Sequence, residues 1–193
     1  MPPTPPPLAP LSFATPRDLE AWLAVNHARA TELWIRMFKK ASGVPSVAWE
    51  DCVVAMLAWG WIDGQRKALD EASFIQRFTP RRARSTWSQK NRVHAERLIA
   101  DGRMQPAGLA QVEAARADGR WDQAYAGSAE MVIPDDFVAA VTKNRAAAKV
   151  FAALDRRNLF TIYHRLHTAK RPETRARRIA AMIAQLARGE RFH

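Results

Sequence analysis

Apolar positions along this chain recur with mixed spacing up to about residue 85 and with purely helical spacing after it. Thr15-Pro16-Arg17-Asp18 predicts a helix start: Thr15 supplies the cap, Pro16 suits the first helical position, and Asp18 sits three residues after the cap. Leu19, Trp22, Leu23 and Asn26 then fall on one face. Residues 31–39, TELWIRMFK, set Leu33, Ile35 and Met37 against Glu32, Trp34 and Arg36, and this period of two predicts a strand. Ala41-Ser42-Gly43-Val44-Pro45 reads as a loop. Ser46 reads as the start of a second helix, apolar on nearly every side and so buried, with Gly60 at its end.

The run WIDGQRKALDEASFIQRFTP holds two extended stretches, about 61–68 and 73–79, around a polar turn near Asp70-Glu71. It predicts an antiparallel hairpin joined to strand 31–39, with an Asp63-Gly64 turn as the competing register. Helices follow at about 86–100, 106–117, 134–143, 145–154, 157–168 and 172–188. Pro106, Pro134 and Pro172 fit first turns, and Gly102, Gly119 and Gly189 fit ends. The fold class is therefore α+β and mainly α-helical: a small N-terminal antiparallel sheet of about three strands with packed helices, then a helical C-terminal half. The expected organisation is a tail over residues 1–12, an α+β subdomain over 13–120, and a helical subdomain over 121–193 packed as one unit with the first. Residues 118–133, which lack a clear period, form the boundary region.

Six of the first ten residues are proline, so the N-terminus reads as an extended tail, with neither the charged nor the apolar segment of a secretory signal. The longest apolar stretch, residues 47–62, is interrupted by Glu50 and Asp51 and is too short to span a bilayer. One cysteine, Cys52, excludes a disulfide framework and a cysteine metal cluster. These features point to a cytoplasmic protein. Its 30 Lys plus Arg against 19 Asp plus Glu give a net charge of +11, a surface that attracts polyanions.

The densest chemistry is FTPRRARSTWSQKN, residues 78–91. Arg81, Arg82 and Arg84 crowd a loop, and Ser85 reads as the cap of a helix whose first turn holds Trp87 and Ser88. Free N–H groups, guanidiniums, hydroxyls and an indole together make a cradle for phosphate or carboxylate. The alternative is a solvated basic loop with Trp87 as an anchor. AKRPETRARRI, residues 169–179, is a second basic helix start, with Lys170, Arg171, Thr174, Arg175 and Arg178. The sharpest expectation is that the two segments face each other across one cleft and take an anion, with Asp63 and Glu173 as carboxylates able to neutralise the cluster. In GWIDG, residues 60–64, Trp61, Asp63 and the nearby Asn91 are pocket or structural candidates. Asp63 is either a functional acid or a turn-forming residue.

Enzyme templates are absent: there is no GxSxG, P-loop, GxGxxG or HExxH. His164 and His167 lie three apart on one helix without neighbours to complete a metal tetrahedron. No catalytic residue, metal or cofactor is assigned, and an enzyme is disfavoured without being excluded.

The strings GWIDGQRKALD, RFTPRRARSTWSQKN, LIADGRMQPAGLAQVEAARADGRW and AKRPETRARRIAAMI resemble the YdeI/OmpD-associated family of bacterial proteins, also called bacteriocin-protection proteins. The likeness runs over about residues 13–190. It departs at Ala58-Trp59-Gly60, where relatives often carry a cysteine and an aromatic, which argues against thiol chemistry there. The resemblance implies a role in protection from bacteriocins or antimicrobial peptides, or in stress, and transfers no catalytic residue. Some descriptions of the family imply a periplasmic setting, in conflict with the cytoplasmic reading. Three readings follow: a non-enzymatic protection protein binding a small anion or an acidic partner, a non-specific nucleic-acid-binding protein, and an enzyme with a site near Asp63.

Overall fold

The computed structural model describes residues 9–193 and divides them into two units, one ending at Ala124 and the other beginning at Tyr125. The proline-rich run expected to be a tail lies mostly in residues 1–8, outside the described residues. At Leu11, inside that expected tail, the backbone already pairs with the sheet: Leu11 N–H donates to the Trp34 carbonyl at 2.9 Å and the Leu11 carbonyl accepts from Arg36 at 2.8 Å.

The first unit starts with α1 (Pro16–Asn26), where Thr15 and Asp18 form the reciprocal cap that the sequence predicts. Strand β1 (Leu33–Phe38) follows, then α2 (Trp49–Ala58), β2 (Trp61–Ala68), β3 (Ser73–Pro80), α3 (Gln89–Ala100) and α4 (Pro106–Ala117). The sheet is antiparallel in the order β1-β3-β2, so the predicted hairpin and its junction with the first strand both form. Leu33, Ile35 and Met37 line its inner face with Phe78, which explains their period of two. The competing Asp63-Gly64 turn is absent. A bulge between Asp63 and Arg66 takes up the extra residues instead, and the buried Gln76 amide donates to the Gly64 carbonyl at 2.8 Å. The hairpin turn is held by Asp70, which accepts from Ala72 N–H and the Ser73 hydroxyl and pairs with Arg36 at 2.6 Å.

Two predicted helix starts move. Ser46 does not open α2; its hydroxyl accepts from the Phe38 N–H at 3.1 Å, and the helix begins at Trp49 after Ala48. Ser85 does not cap α3. Ser88 does, accepting from Asn91 N–H at 3.1 Å, so Trp87 lies before the helix rather than in its first turn. In both cases a serine nearer the preceding strand is recruited by a long-range or turn contact.

Helix α2 is buried through Cys52, Val53, Ala55, Met56, Leu57 and Ala58, as its all-round apolar pattern requires. Burial and the neighbouring Asp51 push the Cys52 thiol up to about 12, so it is an inert packing group. Past its end, Gly60 takes φ +76° and meets α4 closely. The second unit holds α5 (Asp135–Thr142), α6 (Arg145–Ala152), α7 (Arg156–His167) and α8 (Pro172–Ala187). They enclose Phe137, Val141, Ala147, Ile162, Leu166, Met182 and Leu186. Asn144 and Asp155 cap α6 and α7. Among the described residues no helix is long and apolar enough to cross a membrane.

A Cβ built on Gly108 would lie 2.2 Å from the Ala58 carbonyl and 2.7 Å from that of Leu57, backbone that cannot yield without parting α2 from α4. Gly108→Ala is expected to destabilise the first unit by about 3 kcal/mol, at the high end for overpacking. Gly102, at φ +66° with nothing within 4 Å, carries only the left-handed penalty. Gly102→Ala is expected to cost about 1 kcal/mol. Urea midpoints of the two variants measure the difference.

Candidate anion-binding site

The site begins where the hairpin ends. Trp61 opposes Pro80 in the sheet register, and Arg81 N–H donates to the Gly60 carbonyl at 2.9 Å. The hairpin thus joins the GWIDG string to the arginine loop. The Arg81 side chain is buried, its guanidinium 3.6 Å above the Trp87 ring with Nη1 donating to the Thr86 carbonyl at 3.2 Å. Trp87 is itself buried and meets Trp121 edge-to-face at 4.9 Å. Its indole N–H is shielded and has no hydrogen-bond partner among the described residues.

More guanidiniums converge on this pair. Arg92 and Arg116 lie 5.3 Å and 5.0 Å from the Trp121 ring centroid. The buried Arg120 chelates Asp118 through Nε at 2.7 and 2.8 Å and donates to the Ser85 carbonyl at 2.9 Å. Ser85 closes a turn, its hydroxyl accepting from Arg82 N–H at 3.0 Å, which leaves Arg82 and Arg84 exposed at the rim. The carboxylates nearby are few: Asp118 holds Arg120, Glu96 stands 3.9 Å from Arg92, and Asp63 acts on Arg81 electrostatically.

The sequence points to Arg81, Arg82, Ser85, Trp87 and Ser88 but misses Arg92, Arg116, Arg120 and Trp121. Arg92 comes from the first turn of α3, Arg116 from the last turn of α4, and Arg120 and Trp121 from the segment just after it, where each reads as an ordinary helix-face or helix-end residue. The Gly119-Arg120-Trp121 string, a helix stop followed at once by a cation and an indole, is the one signal that could have flagged them. Trp61 is a core anchor: it is buried, its indole donates to the His27 carbonyl at 3.3 Å, and Trp22 packs edge-on at 6.0 Å. Asn91 serves the α3 cap through its backbone.

Lys170, Arg171, Thr174 and Arg175 belong to the second unit, so the two halves of the expected cleft lie in different units. Arg175 is engaged within its own unit. It grips Asp136 through Nε at 2.6 Å and Nη2 at 2.8 Å, and Nη1 donates to the Leu166 carbonyl at 3.0 Å. Its carboxylate is thus Asp136, and neither Asp63 nor Glu173 takes that place. Arg178 likewise donates to the Arg165 carbonyl and to the Thr168 hydroxyl, the latter at 2.9 Å, so two guanidiniums close the C-terminal end of α7. Lys170 and Arg171 are exposed, and Thr174 is half-buried. His164 and His167 pack around Tyr125 at 4.9 and 6.3 Å. No group of three or more His, Cys, Asp or Glu among the described residues could hold a metal ion.

The first unit is thus an α+β body with an arginine-ringed tryptophan pair, and the second a bundle of four helices. Residues 11–111 match the family described as Domain of unknown function (DUF8412), over more than half of the chain, and the chain belongs to that family. Residues 130–189 match the family described as Bacteriocin-protection, YdeI or OmpD-Associated. The YdeI/OmpD-associated resemblance drawn over residues 13–190 is matched over residues 130–189, and the stretch before it falls to a different family. GWIDG and the arginine loop fall in the earlier match, and AKRPETRARRI in the later one. Among curated proteins and among solved structures, nothing matches the chain.

Two pH effects follow. Burial raises the Asp63 carboxyl above the usual range, against the smaller opposing pull of its own N–H and of Arg81. An acid with a raised folded-state pKa destabilises the fold once ionised. That effect is absent at low pH and grows as pH rises through the ordinary Asp range near 3.9 toward the folded-state value. Asp63→Asn is expected to melt higher than the wild type at pH 7, with the gap closing below about pH 4. Asp136 behaves oppositely, lowered first by the hydrogen bond from Arg175. Its contribution is present above the ordinary Asp range and lost as pH falls through the depressed folded-state value. Because the pair is half-exposed, Asp136→Asn is expected to cost about 1 kcal/mol or less at pH 7, a cost that shrinks as pH falls below the ordinary Asp range. Thermal melts across pH 2–7 measure both.

Proposed function

We propose that this protein is a non-enzymatic stress or protection protein that binds a phosphate- or carboxylate-bearing small molecule at the arginine-ringed tryptophan pair of its first unit. The observation that carries the reading is Trp87: its ring lies beneath the guanidinium of Arg81, its shielded indole N–H has no acceptor among the described residues, and the Trp121 ring it packs on carries Arg92 and Arg116. A buried donor without an acceptor costs free energy, on the order of 1–3 kcal/mol, and an oxyanion relieves it. Crowded guanidiniums repel one another, and the same anion lowers that repulsion. Arg82 and Arg84, exposed at the rim, steer the ligand in. The bacteriocin-protection description of the family that matches the second unit supports the physiological half of the reading.

Calorimetric titration with inorganic pyrophosphate, at about 50 and 200 mM salt, tests this. Saturable binding is expected, weakened at least fivefold in the double variant Arg82→Ala/Arg84→Ala. Labelled DNA in the same buffers provides the contrast. A multi-phosphate contact loses roughly a thousandfold in affinity over that salt range for six or so contacts. Such a loss for DNA, with no binding of pyrophosphate, would replace the small-anion reading by a nucleic-acid one.

A further inference from the structure

A second site lies elsewhere in the first unit, in the slot between α2 and α3. It is a surface cavity of about 420 Å³ with an apolar floor of Val54 and Leu98. A neighbouring cavity of about 250 Å³ shares Leu98 and Arg103 with it and extends toward Trp59. The volume suits a small molecule. Its walls are unlike in charge. The α2 wall carries Glu50 and Asp51 in the first turn of that helix, and the α3 side carries His94 and Arg97, with Asp101 and Arg103 at its far end.

Ion pairs bridge the slot near each end. Lys90 reaches Glu50 at 2.7 Å near the start of α2, and Arg103 reaches Glu20 at 3.3 Å at the other end. Between these bridges the walls do not neutralise each other. The Asp51 carboxylate has no hydrogen bond or ion pair among the described residues. Arg97 is largely exposed and lies only within 3.7 Å of Asp101 on its own helix. His94 Nε2 is shielded without a hydrogen-bond partner among the described residues, with Glu50 at 3.9 Å. A cavity that sets one unpaired carboxylate against one loosely held guanidinium, over an aliphatic floor, calls for a ligand carrying both charges and an aliphatic group.

We propose that this slot binds a zwitterionic α-amino acid with an aliphatic side chain. The ammonium sits between Asp51 and Glu50, with His94 Nε2 as a further acceptor. The carboxylate meets Arg97, and the side chain lies on Val54 and Leu98. A simple anion gains from one wall and is repelled by the other, and so does a simple cation, which makes the doubly charged ligand the preferred one.

Titration of the full-length protein with L-leucine, leucinamide, N-acetyl-leucine and inorganic phosphate, followed by calorimetry or by ligand-observed NMR, tests the inference. L-leucine is expected to saturate, while leucinamide, which lacks the carboxylate, and N-acetyl-leucine, which lacks the ammonium, bind at least tenfold more weakly. Asp51→Asn and Arg97→Gln alter exposed side chains and are each expected to weaken leucine at least tenfold without shifting the melting temperature. Arg82→Ala, outside the slot's lining, leaves leucine binding unchanged, which separates this site from the anion site. The inference is overturned if leucine does not saturate, if either blocked analogue binds as tightly as leucine, or if both slot variants bind it like the wild type.

Discussion

The contact on which the first unit depends is a backbone-to-backbone approach between the end of α2 and the start of α4. Gly108 sits against the carbonyls of Leu57 and Ala58, Gly60 sits against the carbonyl of Ala107, and the Ala58 carbonyl accepts from Gln105 N–H at 3.1 Å. No side chain larger than hydrogen fits at either glycine. The consequence reaches the site. Gly60, in its left-handed conformation, turns the chain from α2 straight into β2, and its carbonyl receives Arg81 N–H from the far end of the hairpin. The position of the arginine loop is thus set by helix packing behind the sheet rather than by the loop's own sequence.

A chain with so many arginines must place them without burying unpaired charge. Arg120 goes inside with Asp118, and Arg81 lies flat on an indole. Arg36 and Arg77 brace the sheet against Asp70 and Glu32. In the second unit Arg175 and Arg178 satisfy the open carbonyls at the end of α7. Much of the positive charge is therefore structural, and net charge alone overstates how much is available to a ligand. Around the tryptophan pair the cations left over are the exposed Arg82 and Arg84, with the guanidiniums of Arg92 and Arg116 over the Trp121 ring. Asp63 fits the same picture: burial raises its carboxyl, and the charge of Arg81 opposes that rise.

The α2–α3 slot shows the opposite device. Its charges come in short, exposed pairs that are weak in water and exchange readily with a ligand. Two surfaces of different electrostatic character thus sit in one unit: one nearly all guanidinium around buried aromatic rings, the other divided between acid and base over an aliphatic floor.

The sequence by itself determined the elements. Period-two alternation in 31–39 and 61–79, the Thr15–Asp18 cap and prolines at helix starts are local signals, and the fold class they predict is the one observed. Where local signals competed, the chain could not decide. Ser46 and Ser85 are good caps by type, but a strand N–H and a turn claimed them. The candidate site was half legible. Residues 80–88 announce it because their charges are contiguous, whereas Arg92, Arg116, Arg120 and Trp121 join only when α3 and α4 fold onto the hairpin. The same limit governs Arg175, whose partner Asp136 is 39 residues away and on another helix. Which carboxylate neutralises which guanidinium depends on distances of a few ångströms between residues far apart in the chain. Coulomb energy is settled by those distances, and only the tertiary structure fixes them.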